Sequence, residues 1–264
     1  MKIGICDSGL GGLIVAQAIK KHMPQYDYVY IGDTRHLPYG QRSSTLVHEL
    51  TLNMINFLFD QDCKLVIIAC NTACAVALRK IQQDYLPRHY PDRNVLGVIV
   101  PMLETIHESG SQKAALIGTE GMVKTKTYTQ ELAKISCIKL DEFATPLLVP
   151  LIENDGEFLI EQAVDHYGHD YNLRGYDSII LGCTHYALIK DQVRQAVGKN
   201  IPVLSQDDII PRKLEQYLAK HHKMEKALSK GGQIDFFVTD YTSRYQQAAN
   251  KLFGTDIKLQ EVPS

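Results

Sequence analysis

The sequence predicts an α/β fold of two pseudo-symmetric domains. Each is expected to hold a mostly parallel sheet flanked by helices, with an active site in the interdomain cleft. Three observations carry that expectation. Apolar runs of strand length alternate with stretches of helical apolar spacing, the βαβ rhythm of a parallel sheet covered on both faces. One such run is written twice, as Val66-Ile67-Ile68-Ala69-Cys70-Asn71-Thr72 and as Ile179-Ile180-Leu181-Gly182-Cys183-Thr184-His185. The chain has 264 residues, which at roughly 100–200 residues per domain suits two domains better than one.

The elements follow in order. Lys2–Cys6 reads as a strand and Leu13–His22 as a helix, then Tyr28–Ile31 as a strand and Ser44–Asp60 as an amphipathic helix. Leu65–Ala69 is a strand, Thr72–Tyr85 a helix and Val95–Val100 a strand. The last segment holds a helix over Pro211–His222, a strand over Ile234–Val238 and a helix over Tyr241–Phe253. Its Lys220-His221-His222-Lys223 run is expected as a solvated helix end.

The repeat extends beyond the cysteines. Ile3-Gly4-Ile5-Cys6-Asp7-Ser8-Gly9 matches Ala115-Leu116-Ile117-Gly118-Thr119-Glu120-Gly121 at an offset of 112, and the cysteines repeat at 113. A weaker match sets Asp33…Pro38 against Asp141…Pro146 at an offset of 108. A domain boundary is expected near Val100-Pro101, since a proline disfavours helix at the residue before it. A return crossing near Gln206-Asp207-Asp208 would give one domain of residues 1–100 plus 208–264 and another of residues 101–207.

Composition excludes several classes of function. A net charge of −2 implies no dominant basic face, so nucleic acid is not the expected main ligand. No apolar stretch reaches the length of a membrane span, and the start lacks the features of a signal peptide, so a cytoplasmic protein is expected. Six cysteines without an export signal argue for reduced thiols. No C-x-x-C pair is present, and nothing completes a metal site around Cys70 and Cys74, so no metal is expected.

Ligands of parallel α/β sheets sit beyond the carboxyl ends of the strands. Five positions fall there: Asp7-Ser8-Gly9, Pro38-Tyr39-Gly40, Cys70-Asn71-Thr72, Thr119 and Cys183-Thr184-His185. Cys6, Cys63, Cys74 and Cys137 read as small core residues. Cys70 and Cys183 lie after their strands, at the mouths of helices, where the macrodipole favours a thiolate. Asn71, Thr72 and Thr184 either cap those helices or donate hydrogen bonds to a carboxylate. The glycines after Asp7-Ser8 do not fit G-x-G-x-x-G, and an acid there would repel a pyrophosphate. Asp7 serves either as an N-cap or as a group that polarises a proton or holds an ammonium; Ser8 and nearby amides could bind a carboxylate. His185 can tune a neighbouring thiol, and Glu153 is either a helix-entry acid or its partner.

In combination, Asp7-Ser8-Gly9-Leu10-Gly11-Gly12, Pro38-Tyr39-Gly40, Cys70-Asn71-Thr72, Glu153 and Cys183-Thr184-His185 resemble the glutamate racemases of the aspartate/glutamate racemase superfamily, along nearly the whole chain. His185 favours the glutamate branch over the aspartate branch, which tends to carry a glutamate at that place. The resemblance implies cofactor-independent racemisation of L- and D-glutamate, supplying D-glutamate for peptidoglycan, in a homodimer. It makes Cys70 and Cys183 the two bases, one on each face of the α-carbon, with Asp7 assisting Cys70, and with His185 assisting Cys183 beside Glu153. It makes Ser8, Pro38, Tyr39, Gly40, Asn71, Thr72, Thr119 and Thr184 the substrate-binding set. Two positions depart from the family pattern: Met122 stands where a second threonine is usual, and Thr145 where a cysteine is common. The alternatives are a sister racemase or isomerase for aspartate or a hydantoin, a two-domain small-molecule binding protein, and a thiol redox enzyme. The binding protein would have no use for matched thiols, and the redox enzyme would want a C-x-x-C.

Overall fold

The computed structural model describes residues 1–154 and 156–262. Among these residues the strands are β1 (Lys2–Asp7), β2 (Tyr28–Gly32), β3 (Cys63–Ile68), β4 (Asn94–Gly97), β5 (Lys113–Gly118), β6 (Lys139–Ala144), β7 (Ser178–Gly182), β8 (Val203–Leu204), β9 (Ile234–Val238) and β10 (Leu259–Glu261). They form a six-stranded sheet, β10-β9-β2-β1-β3-β4, and a four-stranded sheet, β6-β5-β7-β8. Every neighbouring pair is parallel.

The central strands β1, β2, β3 and β7 are almost continuously buried, as parallel strands covered on both faces must be. Helix Gly12–His22 packs on Gln206–Lys220, and Ser44–Asp60 packs on Asn71–Lys80. The second sheet divides its side chains between two cores. Ala114, Leu116 and Ile180 join the core of the six-stranded sheet, whereas Ala115, Ile117, Ile179 and Leu181 face a smaller core with Tyr186 and Val193. That alternation is the period of two expected of a strand, and it gives the two sheets a shared apolar layer. No helix among the described residues is long and apolar enough to cross a membrane.

The duplication appears as topology, because β2-β1-β3-β4 and β6-β5-β7-β8 have the same order. Strand pairing corrects one of the three offsets. Cys6 is paired with Ile31 and Gly118 with Ala144, so Ala144 takes the place of Ile31 at an offset of 113 (144 − 31). Asp141 lies inside β6 whereas Asp33 follows β2, so the match at 108 is out of register.

Two element limits are also corrected. The strand expected over Val95–Val100 stops at Gly97, and Ile99–Glu108 is a helix. Pro101 falls in the first turn of that helix, where a backbone N–H would have no intrahelical partner anyway. The helix expected from Pro211 begins at Gln206, with Pro211 inside it, and ends at Lys220 before a short helix over His222–Ala227. Burial of Ile209, Ile210, Leu214 and Leu218 holds that helix together despite the missing donor. The Thr72–Tyr85 reading becomes an α-helix, Asn71–Lys80, running into one π turn, Ile81–Tyr85. Strand β10 carries no signal that the sequence reading caught.

Close backbone approach sets the loop after β1. A Cβ on Gly32 would lie 2.1 Å from the Gly9 carbonyl oxygen, which also accepts the Tyr30 hydroxyl at 2.7 Å. Gly32→Ala is therefore expected to destabilise the fold by about 2–3 kcal/mol through overpacking, measured as a lower urea midpoint. A loss below about 0.5 kcal/mol, within the range of ordinary surface substitutions, would show that the loop yields freely.

Candidate active site

The carboxyl ends of β1, β3, β5 and β7 converge on one cavity of about 410 Å³, counted out to its open mouth. Ser8, Pro38, Tyr39, Gly40, Cys70, Asn71 and Thr72 line it from the half built on the six-stranded sheet. Thr119, Glu153, Cys183, Thr184 and His185 line it from the other half, with Leu37, Val149 and Gly182 completing the wall. Every expected site residue except Asp7 is thus on the cavity surface. Asp7 lies fully buried behind it.

The glycines after Asp7 serve packing between side chains. A Cβ on Gly12 would lie 2.4 Å from the Asp7 Cβ, and one on Gly11 would lie 2.6 Å from both His185 Cε1 and Thr184 Oγ1. The second contact joins the two halves, as does a third, where a Cβ on Gly121 would lie 2.6 Å from the Gly40 carbonyl oxygen. Asp7 does not cap helix Gly12–His22, whose N-cap is Gly11 with no side-chain bond. Its Oδ2 accepts the Gly9 N–H at 3.0 Å, and its Oδ1 is buried without a hydrogen-bond partner. Burial raises the Asp7 pKa, against the opposing pull of His185.

The two thiols occupy different surroundings. Cys70 is the N-cap of helix Asn71–Lys80, and its Sγ accepts the Ala73 N–H at 3.4 Å. Burial and then the Asp7 charge push its pKa up to about 12, while Ser8 and the Ala73 N–H act the other way. The expected lowering by the macrodipole is overturned here. A helix end is worth about 0.3–1 kcal/mol near the surface, whereas full burial can move a pKa by several units. Cys183 follows β7 and leads into a 3-10 turn, Thr184–Ile189, in place of an α-helix.

His185 Nδ1 stands 3.7 Å from Cys183 Sγ, and its Nε2 is 3.0 Å from Glu153 Oε1. Burial opposes a charged ring, but Cys183 and Glu153 outweigh it and raise the His185 pKa well above the ordinary value. Glu153 ends helix Leu148–Glu153 and pairs with His185, so the partner reading is the one realised geometrically.

The remaining polar groups are tied across the cavity. Thr72 Oγ1 and Thr119 Oγ1 are 3.0 Å apart, one from each half. Thr119 also caps helix Glu120–Thr125 by accepting the Met122 N–H at 3.4 Å. The Tyr39 hydroxyl donates to Asp33 Oδ2 at 2.6 Å, so it is spoken for. Asp33 also accepts the Thr239 hydroxyl at 2.6 Å, anchoring the loop that carries Gly40. The Asn71 Oδ1 accepts the Tyr128 hydroxyl. Sequence reasoning missed both roles: Asp33 served there only as a repeat marker, and Tyr128 lies in no motif.

The two departures from the family pattern are buried. Met122 packs its Cε against Gly118 and Gly182 and does not line the cavity. Thr145 Oγ1 lies 2.7 Å from the Tyr186 hydroxyl. Cys6, Cys63 and Cys74 are core residues as expected, but Cys137 is exposed: it falls after helix Thr127–Leu132, before β6.

Two outcomes follow from these surroundings. Glu153→Gln removes one of the groups that hold the proton on His185, so its pKa should fall, read by NMR titration of the imidazole; an unchanged or higher value would contradict the assignment. Cys70 keeps its proton to about 12 in the folded chain, against an ordinary 9.0. Its contribution to stability is complete below pH 9.0 and is lost as pH rises through about 12. The loss should run at about 1.4 kcal/mol per pH unit between those limits. Cys70→Ser should therefore flatten the alkaline fall of the urea midpoint; an unaltered fall would place its origin elsewhere.

A sequence profile of the Asp/Glu/Hydantoin racemase family matches residues 13–209. The chain is 34% identical to a glutamate racemase of Dinoroseobacter shibae, with 99% of both chains covered. It is 32% identical to one of Oceanobacillus iheyensis, over 85% of this chain and 82% of that one. A glutamate racemase isoform from Bacillus anthracis has the same fold, with a TM-score of 0.90 and 29% identity over 99% of this chain and 97% of the other. The glutamate racemase from Francisella tularensis solved with D-glutamate gives a TM-score of 0.86 and 25% identity over 99% and 97%. The paired strands, the shared cavity and these likenesses agree: the chain belongs to the Asp/Glu/Hydantoin racemase family and is a racemase.

Proposed function

We propose that the protein interconverts L- and D-glutamate by moving protons between two thiols, without an organic cofactor or metal, and that it supplies D-glutamate for peptidoglycan. One observation carries the mechanism: Cys70 and Cys183, from equivalent strands of a duplicated unit, line a single cavity with unlike charge surroundings. Cys183 stands beside the His185 ring, which Glu153 holds from its other side, while burial and Asp7 favour the protonated form of Cys70. Cys183 takes the α-proton and the electron pair stays on the α-carbon. The Cys70 thiol then delivers its proton to the opposite face. The thiolate has moved from Cys183 to Cys70, and the reverse sequence serves the other enantiomer. A single base would tend to return the proton to the face it came from.

The α-proton of an amino acid is far less acidic than a thiol, so the site must stabilise developing negative charge. Each 1.4 kcal/mol of stabilisation is worth about tenfold in rate. Ser8, Thr72, Thr119 and Thr184 present hydroxyls on the cavity wall that can meet this charge, and Asn71 presents a carboxamide for binding. The glutamate racemases among its relatives support glutamate as the substrate. The same reading takes residues 1–100 with 208–264 as one domain and 101–207 as the other, in a cytoplasmic homodimer.

Purified protein should racemise glutamate in both directions without added pyridoxal phosphate or metal, followed by circular dichroism, and prefer it to aspartate. Cys70→Ser and Cys183→Ser should each reduce turnover in both directions by about 10²–10⁴-fold. In heavy water the product should carry α-deuterium from its first turnover. Full turnover in either variant, or product that keeps its hydrogen, sinks the two-thiol mechanism.

A further inference from the structure

Asn71 presents a carboxamide of which only one end has a partner. Its Oδ1 accepts the Tyr128 hydroxyl at 2.6 Å, while its Nδ2 is buried with no hydrogen-bond partner, at a residue that lines the cavity. A half-turn of a carboxamide exchanges donor for acceptor, so a free Asn71 would offer a carboxylate ligand either end. Tyr128 removes that choice. Burial raises its pKa well above the ordinary value, so its hydroxyl stays protonated and can donate. The amide oxygen answers that donor, and the N–H is left without a partner.

The two residues come from different halves of the molecule. Asn71 opens the helix that follows β3, and Tyr128 lies in helix Thr127–Leu132, which follows β5. The Thr72–Thr119 hydroxyl contact crosses the same junction one residue further on. The orientation of the Asn71 donor is therefore set by contact between the halves. Tyr128 itself does not line the cavity.

We propose that Tyr128 is a positioning residue for substrate binding: it locks the Asn71 carboxamide so that Nδ2–H faces a carboxylate of the bound amino acid. The inference rests on the glutamate reading of the cavity. A donor that meets the carboxylate equally in ground and transition states acts on KM and leaves kcat nearly unchanged.

The test is a double-mutant cycle of Tyr128→Phe and Asn71→Ala, with kcat and KM for both glutamate enantiomers. Tyr128→Phe should raise KM about tenfold with kcat within about threefold. In the Asn71→Ala background the same change should add less than about twofold, since Tyr128 acts through Asn71. In wild-type protein labelled with ¹⁵N-asparagine, saturating glutamate should shift the Asn71 side-chain amide protons, a reading that stands even if Tyr128→Phe fails to fold. An unchanged KM in folded Tyr128→Phe, additive effects in the cycle, or an amide that ignores glutamate each overturns the positioning role while leaving an active wild type in place. Wild-type protein inactive on glutamate overturns the glutamate reading and this inference with it.

Discussion

The junction of the two halves takes water away from titratable groups, and the chemistry of the site follows from that exclusion. Gly11 sits against His185 and Thr184, and Gly121 against the Gly40 carbonyl, with no room for a side-chain carbon at either place. The approach buries Asp7, Cys70 and His185 together. A buried ionised group is costly unless it is paired or gives up its charge. Burial and Asp7 push the Cys70 pKa up, while Cys183 and Glu153 outweigh burial and raise that of His185.

The duplicated architecture supplies equivalent positions, and local differences make them unequal. β3 and β7 have the same place in their sheets, so Cys70 and Cys183 emerge alike. An α-helix then follows Cys70 and lets its sulfur cap a backbone N–H. A 3-10 turn follows Cys183 and brings His185 back toward the sulfur. A carboxyl group lies behind one thiol and an imidazole beside the other. This is the asymmetry that a proton relay between two faces of one carbon would use, since one sulfur must start with a proton and the other without.

Much of the fold was legible because it depends on short-range regularity. The limits of Ser44–Asp60 and Ile234–Val238 coincide with those read from apolar spacing, because the amphipathic period and the apolar run end where the elements end. The limits read for Val95–Val100 and Pro211–His222 missed for one reason: helix packing, which local spacing does not show, decided that the helices begin at Ile99 and Gln206. The offset of 108 failed because residue identity carries no register, which strand pairing alone defines.

The sequence by itself determined the alternation of strands and helices, the duplication, and the strand-end residues that meet at one cavity. The alternation and the strand ends are encoded in residue order within segments of a few tens of residues, and the duplication in the likeness of two such segments. Tertiary structure decided the electrostatics: that the Cys70 thiol rises above its ordinary pKa, that Glu153 pairs with His185, that the Tyr39 hydroxyl turns to Asp33, and that Met122 faces the sheet. It also supplied Tyr128, 57 residues along the chain from the amide it holds. Such facts depend on distance and on the exclusion of water, and both are set only when segments remote in sequence close on one another.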